Sequence, residues 1–455
     1  MMAQGMTFLT KKDCHNARMA RDSRFDGCFY VAVKTTGIFC RPICPANLPK
    51  EENVEYFFDK ALALQAGYRP CLRCRPDSAP SSWAWKGVEA TFQRAVKLIE
   101  QGALQHASLV ELSERLGISD RYLRKLFSHY IGMSPKQYAL CYQLMFAKQL
   151  LHTSRLSVTE VALASGFNSL RRFNDAFKQQ LKLTPSQIKK DLVACAETNH
   201  IDLAYRGPFD WQHMLDFYRL RAIDGLERVG ADDYQRCFEL EGQAGWFSVS
   251  NPKTGIVRLQ FKLDDISCLR SLVNQVRRMF DLDSDLLLIE KHLHDIEPKL
   301  IKQSGIRIPG VWSPWEAGVR AILGQQVSIK AAIGQLNLLA ATLQPDGVTH
   351  FPTPSEVNGA DLSFLRMPQS RKDTLARFAA YMTCHPDAPP ESWLELKGIG
   401  PWTMNYARLR GASEPNCFLE SDLVVKKALK AFPNLTTNTV SPWGSYATFH
   451  CWSHA

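Results

Sequence analysis

The amino-acid sequence predicts a multidomain α+β protein. Its parts are a small metal-bound α/β domain, an all-α tandem helix-turn-helix domain, and an α+β segment continuing into an all-α segment with a helix-hairpin-helix. Three observations point there. Two close cysteine pairs lie within the first 80 residues, and two similar helix–glycine–helix runs follow inside a basic block. The last 255 residues pass from strand-like alternation to helical spacing around a Gly-x-Gly turn. At 455 residues and 45% hydrophobic content, the chain is long enough for several domains with a core each.

Composition excludes some classes. The first 25 residues hold no apolar run of signal-peptide type, and no stretch is long and uncharged enough to span a membrane. A cytoplasmic protein with reduced thiols and no membrane partner is expected. The 13 Lys/Arg and three acids between Arg115 and Lys190 give that stretch +10, the same as the whole chain, so the remainder is neutral. A confined basic block is a nucleic-acid footprint, although a solvated basic face would explain the charge equally well.

"PDSAPSSWAW" (76–85) and "KKDLVACAETNH" (189–200) read as junctions. They divide the chain into expected domains 1–80, 85–190, 200–300 and 301–455.

In the first part, Cys40-x3-Cys44 and Cys71-x2-Cys74 have the spacing of a tetrahedral all-thiolate Zn²⁺ site. Buried cysteines acting as small hydrophobes fit poorly, because Arg41, Pro42, Pro45, Arg69, Pro70, Arg73 and Arg75 surround them. The default role is structural. Four thiolates around Zn²⁺ nevertheless carry a net charge near −2, so each sulfur stays electron-rich and, beside arginines, could attack an alkyl group on a DNA phosphate.

The stretch "RFDGCFYVAVKTTGIFCRPICPA" with "NVEYF" and "ALALQAGYRPCLRCRP" resembles the N-terminal domain of the Ada family over about residues 10–78. The resemblance implies that Cys40, Cys44, Cys71 and Cys74 bind zinc. It further implies that Cys40 irreversibly accepts methyl groups from methylphosphotriesters. Methylation removes one negative charge facing a polyanion, so DNA affinity should rise. Members of that family often end in a second methyltransferase domain with a Pro-Cys-His-Arg motif. This sequence has none, so direct reversal of O6-methylguanine is not expected.

In the middle, "SLVELSERLGISDRYLRKLF" (108–127) and "SVTEVALASGFNSLRRFNDAFK" (157–178) each open on Ser at an N-cap position, reach a glycine, and start a second helix near Ser119 or Asn168. Arg121, Arg124, Arg171 and Arg172 sit where side chains reach bases and phosphates. Leu123, Leu126, Phe127, Phe173 and Phe177 have core spacing. The region 88–190, with "GMSPKQY" and "KLTPSQ" after the two units, resembles the AraC-type DNA-binding domain. Promoter DNA and RNA polymerase are the implied partners.

The last part carries "LKGIGPWTMNYARLRG" (396–411), where Gly398 and Gly400 would let backbone amides approach a phosphate at a helix N-terminus. In "CFLESDLVVKKAL" (417–429), Asp422 opens a predicted helix. A plain N-cap is its bland reading, but a carboxylate at this distance after such a hairpin is the helix-hairpin-helix glycosylase signature. Glycosylases with lyase activity carry a Lys where Trp402 stands here, so base removal without strand cleavage is expected. Trp402, Tyr406 and Trp452 would form an aromatic wall for a flipped cationic base, although each could be plain core.

Residues 200–455 resemble the AlkA-type 3-methyladenine DNA glycosylase II, in "YRGPFDWQHMLDFYRLRAIDGLE", "GVWSPWEAGVRAILGQQVS", the hairpin, Asp422 and "PWGSYATFHCW". This implies a catalytic Asp422, a base pocket of Trp402, Tyr406 and Trp452, and a monovalent cation on the carbonyls of Leu394, Leu396 and Ile399. The wedge position, apolar in that family, is Gln326 here, and Ser421 replaces a second acid. Rate and substrate range are expected to differ. The sum is a monomeric, nucleoid-associated response protein for DNA alkylation. Its glycosylase excises 3-methyladenine and other alkylated bases from double-stranded DNA, fused to a sensor of methylphosphotriesters. The competing reading is a regulator whose last 255 residues only clamp DNA. Asp422 and the pocket aromatics, all present, favour the enzyme.

Overall fold

A computed structural model of the chain describes residues 9–22, 25–74, 76, 90–100, 102–189 and 200–454. The bulk of both predicted junctions, 77–85 and 190–199, lies outside the described residues. The chain forms two compact units. One runs to Tyr205 and includes Asp265–Asn274; the other comprises Arg206–Asp264 and the chain from Gln275 onward.

The first unit begins with helix Lys11–Met19, started by a capping box in which Thr10 and Asp13 satisfy each other's backbone N–H. A four-stranded sheet follows in the order Val54–Phe57, Tyr30–Val33, Ile38–Cys40, Arg69–Pro70. Its first two pairings are antiparallel and the last is parallel. Cys14, Ala17, Phe29, Val31 and Val54 form one small buried cluster here.

The two helix-turn-helix units form as the spacing predicts. Ser108 and Ser157 cap Leu109–Arg115 and Val158–Ala164, each completing a capping box with Glu111 or Glu160. Gly117 and Gly166 then take positive φ, which turns the chain where a side chain would be strained. Ser119 and Ser169 start the second helices, Asp120–Ile131 and Leu170–Leu181. Leu123, Leu126, Phe127, Phe173 and Phe177 are buried. Between the units runs the long helix Pro135–Thr153, capped by Ser134 with Gln137. The Tyr142 hydroxyl on it donates to Asp59 (3.0 Å), the buried cap of helix Lys60–Gln65, and so joins the cysteine-rich part to the helical part.

The second unit contains an antiparallel meander of Glu227–Val229, Asp233–Leu240, Gln243–Lys253 and Ile256–Leu263. Its helices include Trp211–Arg219, Pro314–Gly324, Ile329–Leu343, Gln369–Cys384, Pro401–Gly411, Leu423–Leu429 and Gly444–Trp452. A closed ring of buried charges fixes sheet to helix. Arg236 contacts Glu227 (3.0 Å) and Glu316 (2.6 Å), and Arg320 contacts the same two carboxylates (2.8 Å each). Leaving one such charge unpaired costs about 3–5 kcal/mol, so the ring specifies one arrangement. Helix Pro401–Gly411 crosses Pro314–Gly324 at Gly411, where a Cβ would meet the Pro314 Cα at 2.5 Å. That close crossing sets the helix bearing Trp402 against the core.

Candidate functional site

The metal centre is built by strand pairing. Phe39 lies beside Pro70 in the parallel ladder, and the Cys71 N–H donates to the Phe39 carbonyl (2.9 Å), so Cys40 and Cys71 arrive together. A turn closed by the Cys44 N–H on the Arg41 carbonyl (3.1 Å) returns Cys44 to the same point. The four Sγ atoms lie within 4.8 Å of one another. Zn–S bonds of about 2.3 Å in a tetrahedron put sulfurs about 3.8 Å apart, so the donor set fits Zn²⁺. The Arg41 backbone N–H donates to the Cys74 sulfur (3.3 Å). Cys44, Cys71 and Cys74 are buried, whereas Cys40 is half-buried.

Arg41, one of the arginines around the cysteines, is committed to a partner within the fold. Its guanidinium makes a two-point pair with Asp26 (Nε–Oδ1 2.7 Å) and donates to the Cys74 carbonyl (3.3 Å). It therefore braces the cysteine turn. The signal was hidden because Asp26 lies 15 residues upstream. Arg73 is exposed beside the cluster.

On the second helices of the two helix-turn-helix units, Arg121, Arg124, Arg171 and Arg172 are all exposed. Arg124 is held by Asp120 at 3.5 Å. Both helices thus present a basic face opposite a buried apolar one.

The third site is a closed circuit of contacts around Asp422. That residue caps Leu423–Leu429, with Oδ1 accepting from the N–H groups of Val424 (2.9 Å) and Val425 (3.3 Å). The Trp402 indole N–H donates to Oδ2 (3.2 Å) and the Trp452 indole N–H to Oδ1 (3.1 Å). Four donors thereby fix one carboxylate. Trp402 stacks on Tyr406 (5.2 Å, 24°), and the Tyr406 hydroxyl accepts from buried Arg410 (2.8 Å). The Arg410 guanidinium lies over Phe217 (4.8 Å), which is parallel to Trp452 (6.4 Å, 18°), closing the circuit. Burial pushes the Tyr406 phenol up, but the charges of Arg410, Arg221 and Arg320 outweigh it and hold the phenol below its usual value.

Asp422, Trp402, Tyr406 and Trp452, the residues expected from the sequence, come together in the structure. The sequence does not single out Phe217 and Arg410, which are 193 residues apart and carry no local signal. Gln326 is exposed, in the turn between Pro314–Gly324 and Ile329–Leu343, and adopts φ +54°. Ser421 is exposed beside Asp422. Of the three hairpin carbonyls, that of Leu396 accepts the Ile399 N–H (3.0 Å).

Gly398 sits at φ +100°, and a Cβ there would lie 2.0 Å from the Thr374 hydroxyl oxygen. Among the described residues, no acceptor faces the N–H of Gly398 or of Gly400. Both strain and clash therefore oppose any side chain at 398. Gly398→Ala is expected to cost about 1–3 kcal/mol of stability and to weaken DNA binding, measured by thermal unfolding and by titration with duplex.

His450, on the helix that ends at Trp452, is buried, and neither ring nitrogen has a hydrogen-bond partner. Burial pushes its pKa down to about 4, with His213 and His454 adding to the effect. In the unfolded chain the ordinary value near 6.5 returns, so the unfolded state binds the proton first. Stability is complete above about pH 6.5 and falls by about 3 kcal/mol as the pH drops to about 4. In His450→Phe, the fall in Tm between these pH values should be smaller than in the wild type.

Three stretches of the chain match known families. Residues 13–77 match the family described as metal binding domain of Ada, 112–191 a helix-turn-helix domain, and 200–313 the AlkA N-terminal domain. A Mycobacterium tuberculosis protein named "Probable bifunctional transcriptional activator/DNA repair enzyme AlkA" is 33% identical over 97% of this chain and 95% of its own length. DNA-3-methyladenine glycosylase 2 of Escherichia coli is 30% identical over 55% of this chain and 95% of its own. The Escherichia coli bifunctional transcriptional activator/DNA repair enzyme Ada is 33% identical over 40% of this chain and 50% of its own. The four cysteines make a Zn²⁺ site, DNA is the partner, and among the described residues no helix is long and apolar enough to cross a membrane. With an Ada-type zinc domain, a helix-turn-helix reader and a DNA glycosylase in one chain, the protein belongs to the family of bifunctional transcriptional activator/DNA repair enzymes AlkA.

Proposed function

We propose that the glycosylase part excises 3-methyladenine and related alkylated bases, with Asp422 as the catalytic carboxylate and Trp402, Tyr406 and Trp452 around the flipped base. The observation that carries this is the double indole clamp on Asp422. A carboxylate held between two indoles would face the deoxyribose of a base stacked on their rings. As the C1′–N bond breaks, its electron pair leaves with the base, and the carboxylate stabilises positive charge at C1′. Water then adds to C1′ and releases a proton. A cationic base departs neutral, and the aromatic faces favour it while bound. Trp402 offers no amine to form a Schiff base, so the strand stays intact.

In the same reading, Cys40 is a single-use methyl acceptor. Its sulfur attacks the methyl carbon of a methylphosphotriester, an S–C bond forms, the C–O bond breaks, and the electron pair returns to the phosphate. Bound Zn²⁺ keeps the four sulfurs deprotonated and in place. Greater openness of Cys40 than of its three neighbours supports this choice. Loss of one negative charge then favours DNA, and Arg121, Arg124, Arg171 and Arg172 read a promoter for RNA polymerase. Domains at 1–80, 85–190, 200–300 and 301–455, a monomeric state and a place on the nucleoid complete the proposal.

Peptide mass spectrometry after incubation with DNA carrying methylphosphotriesters tests the acceptor. One methyl group on the Cys40 peptide is expected. Methyl groups spread over all four cysteines, or none, would contradict it.

A further inference from the structure

The hairpin at 396–400 is held from behind by two side chains of other elements. Arg377, on helix Gln369–Cys384, donates to the Lys397 carbonyl (3.0 Å). The Gln325 side-chain amide donates to the Gly398 carbonyl (3.3 Å) and to the Thr403 hydroxyl (3.3 Å). In a trans peptide the C=O of one residue and the N–H of the next point in opposite directions. Pulling the Lys397 carbonyl toward Arg377 therefore turns the Gly398 N–H away from that helix. Pulling the Gly398 carbonyl toward Gln325 turns the Ile399 N–H the other way, onto Leu396, where it closes the turn at 3.0 Å. Gln325 also directly precedes Gln326, the exposed left-handed residue at the wedge position.

We infer that Gln325 and Arg377 are positioning residues: together they fix the peptide planes that aim the Gly398 N–H at a DNA phosphate, and Gln325 ties that hairpin to the wedge turn. This rests on the reading of the second unit as a glycosylase acting at Asp422. Neither residue touches the reacting atoms. Their effect should fall on assembly of the lesion complex and leave the chemical step alone.

The test uses the full chain with Gln325→Met and Arg377→Met. It measures affinity for a duplex holding a tetrahydrofuran abasic site against the same duplex undamaged. The ratio cancels binding by the other parts of the chain. One lost hydrogen bond should shrink the ratio by about three- to tenfold in each variant. The double variant should lose less than the product of the two, because both act on one hairpin. Single-turnover base release at saturating enzyme should stay within about twofold of wild type. The salt slope of binding should not change, since neither residue is the phosphate contact; a direct Arg377 contact would lower it by about one.

A ratio unchanged in both variants, or a slope lowered by Arg377→Met, overturns the inference. A fall in Tm with the ratio intact also overturns it, because the residues would then be merely structural. If the wild type prefers the abasic duplex yet releases no base, the glycosylase reading fails, while the brace is still decided by the ratio.

Discussion

Asp422→Asn should slow base release by about 10²- to 10⁴-fold, with DNA binding retained. The substitution is nearly isosteric and leaves an oxygen for the N–H groups of Val424 and Val425, so the cap on Leu423–Leu429 survives in part. What it removes is the negative charge that, in the proposed reaction, stabilises positive charge at C1′. With that oxygen kept at the cap, the NH₂ group takes the place of Oδ2 and stands against the Trp402 indole N–H. That donor–donor contact loosens the pocket wall at the moment the base must be held. Single-turnover release from methylated duplex checks the prediction. A variant with wild-type rate would mean that the carboxylate is only a helix cap.

Removing the Zn²⁺ has the second large effect, and it should stay local. Among the described residues, the buried cluster of Cys14, Ala17, Phe29, Val31 and Val54 is small, and a part of this size gains little stability from apolar burial alone. A structural Zn²⁺ contributes about 10–16 kcal/mol of binding free energy, comparable with or larger than the stability of a typical domain. Four thiolates left within 4.8 Å of one another without the ion would repel. Chelation, or Cys71→Ser, is therefore expected to open residues 9–76 to proteases. Base release should persist, since Asp422 and its partners belong to the other compact unit. Protease resistance unchanged by chelation would contradict a metal-dependent fold.

Much of this was legible in the sequence because it depends on local spacing. The Ser caps at 108, 119 and 157, the glycines after each first helix, and the apolar positions of Asp120–Ile131 and Leu170–Leu181 are all settled within one or two helical turns. Cysteine spacing is local within each pair as well. Asp422 was legible by its distance from the hairpin, although its two indole clamps were not. What stayed hidden is long-range pairing between residues of ordinary type. Arg41 reads only as one of several arginines near the cysteines until Asp26 takes its guanidinium. Phe217 reads as one more apolar helix position until Arg410 and Trp452 meet it. Neither Glu316 nor Arg236 carries a sequence signal for a closed ring of buried charge. Side-chain partners set by tertiary packing leave no trace in periodicity.

In the proposed function, one chain both reads alkylated DNA and removes bases from it without cutting the strand. Incubating the wild-type chain with methylated duplex DNA, and following free base and strand length before and after alkali, tests it most directly. Free 3-methyladenine is expected, with strands whole until alkali and breaks afterwards at the abasic sites. Bound DNA with no released base, or strand breaks before alkali, would contradict it.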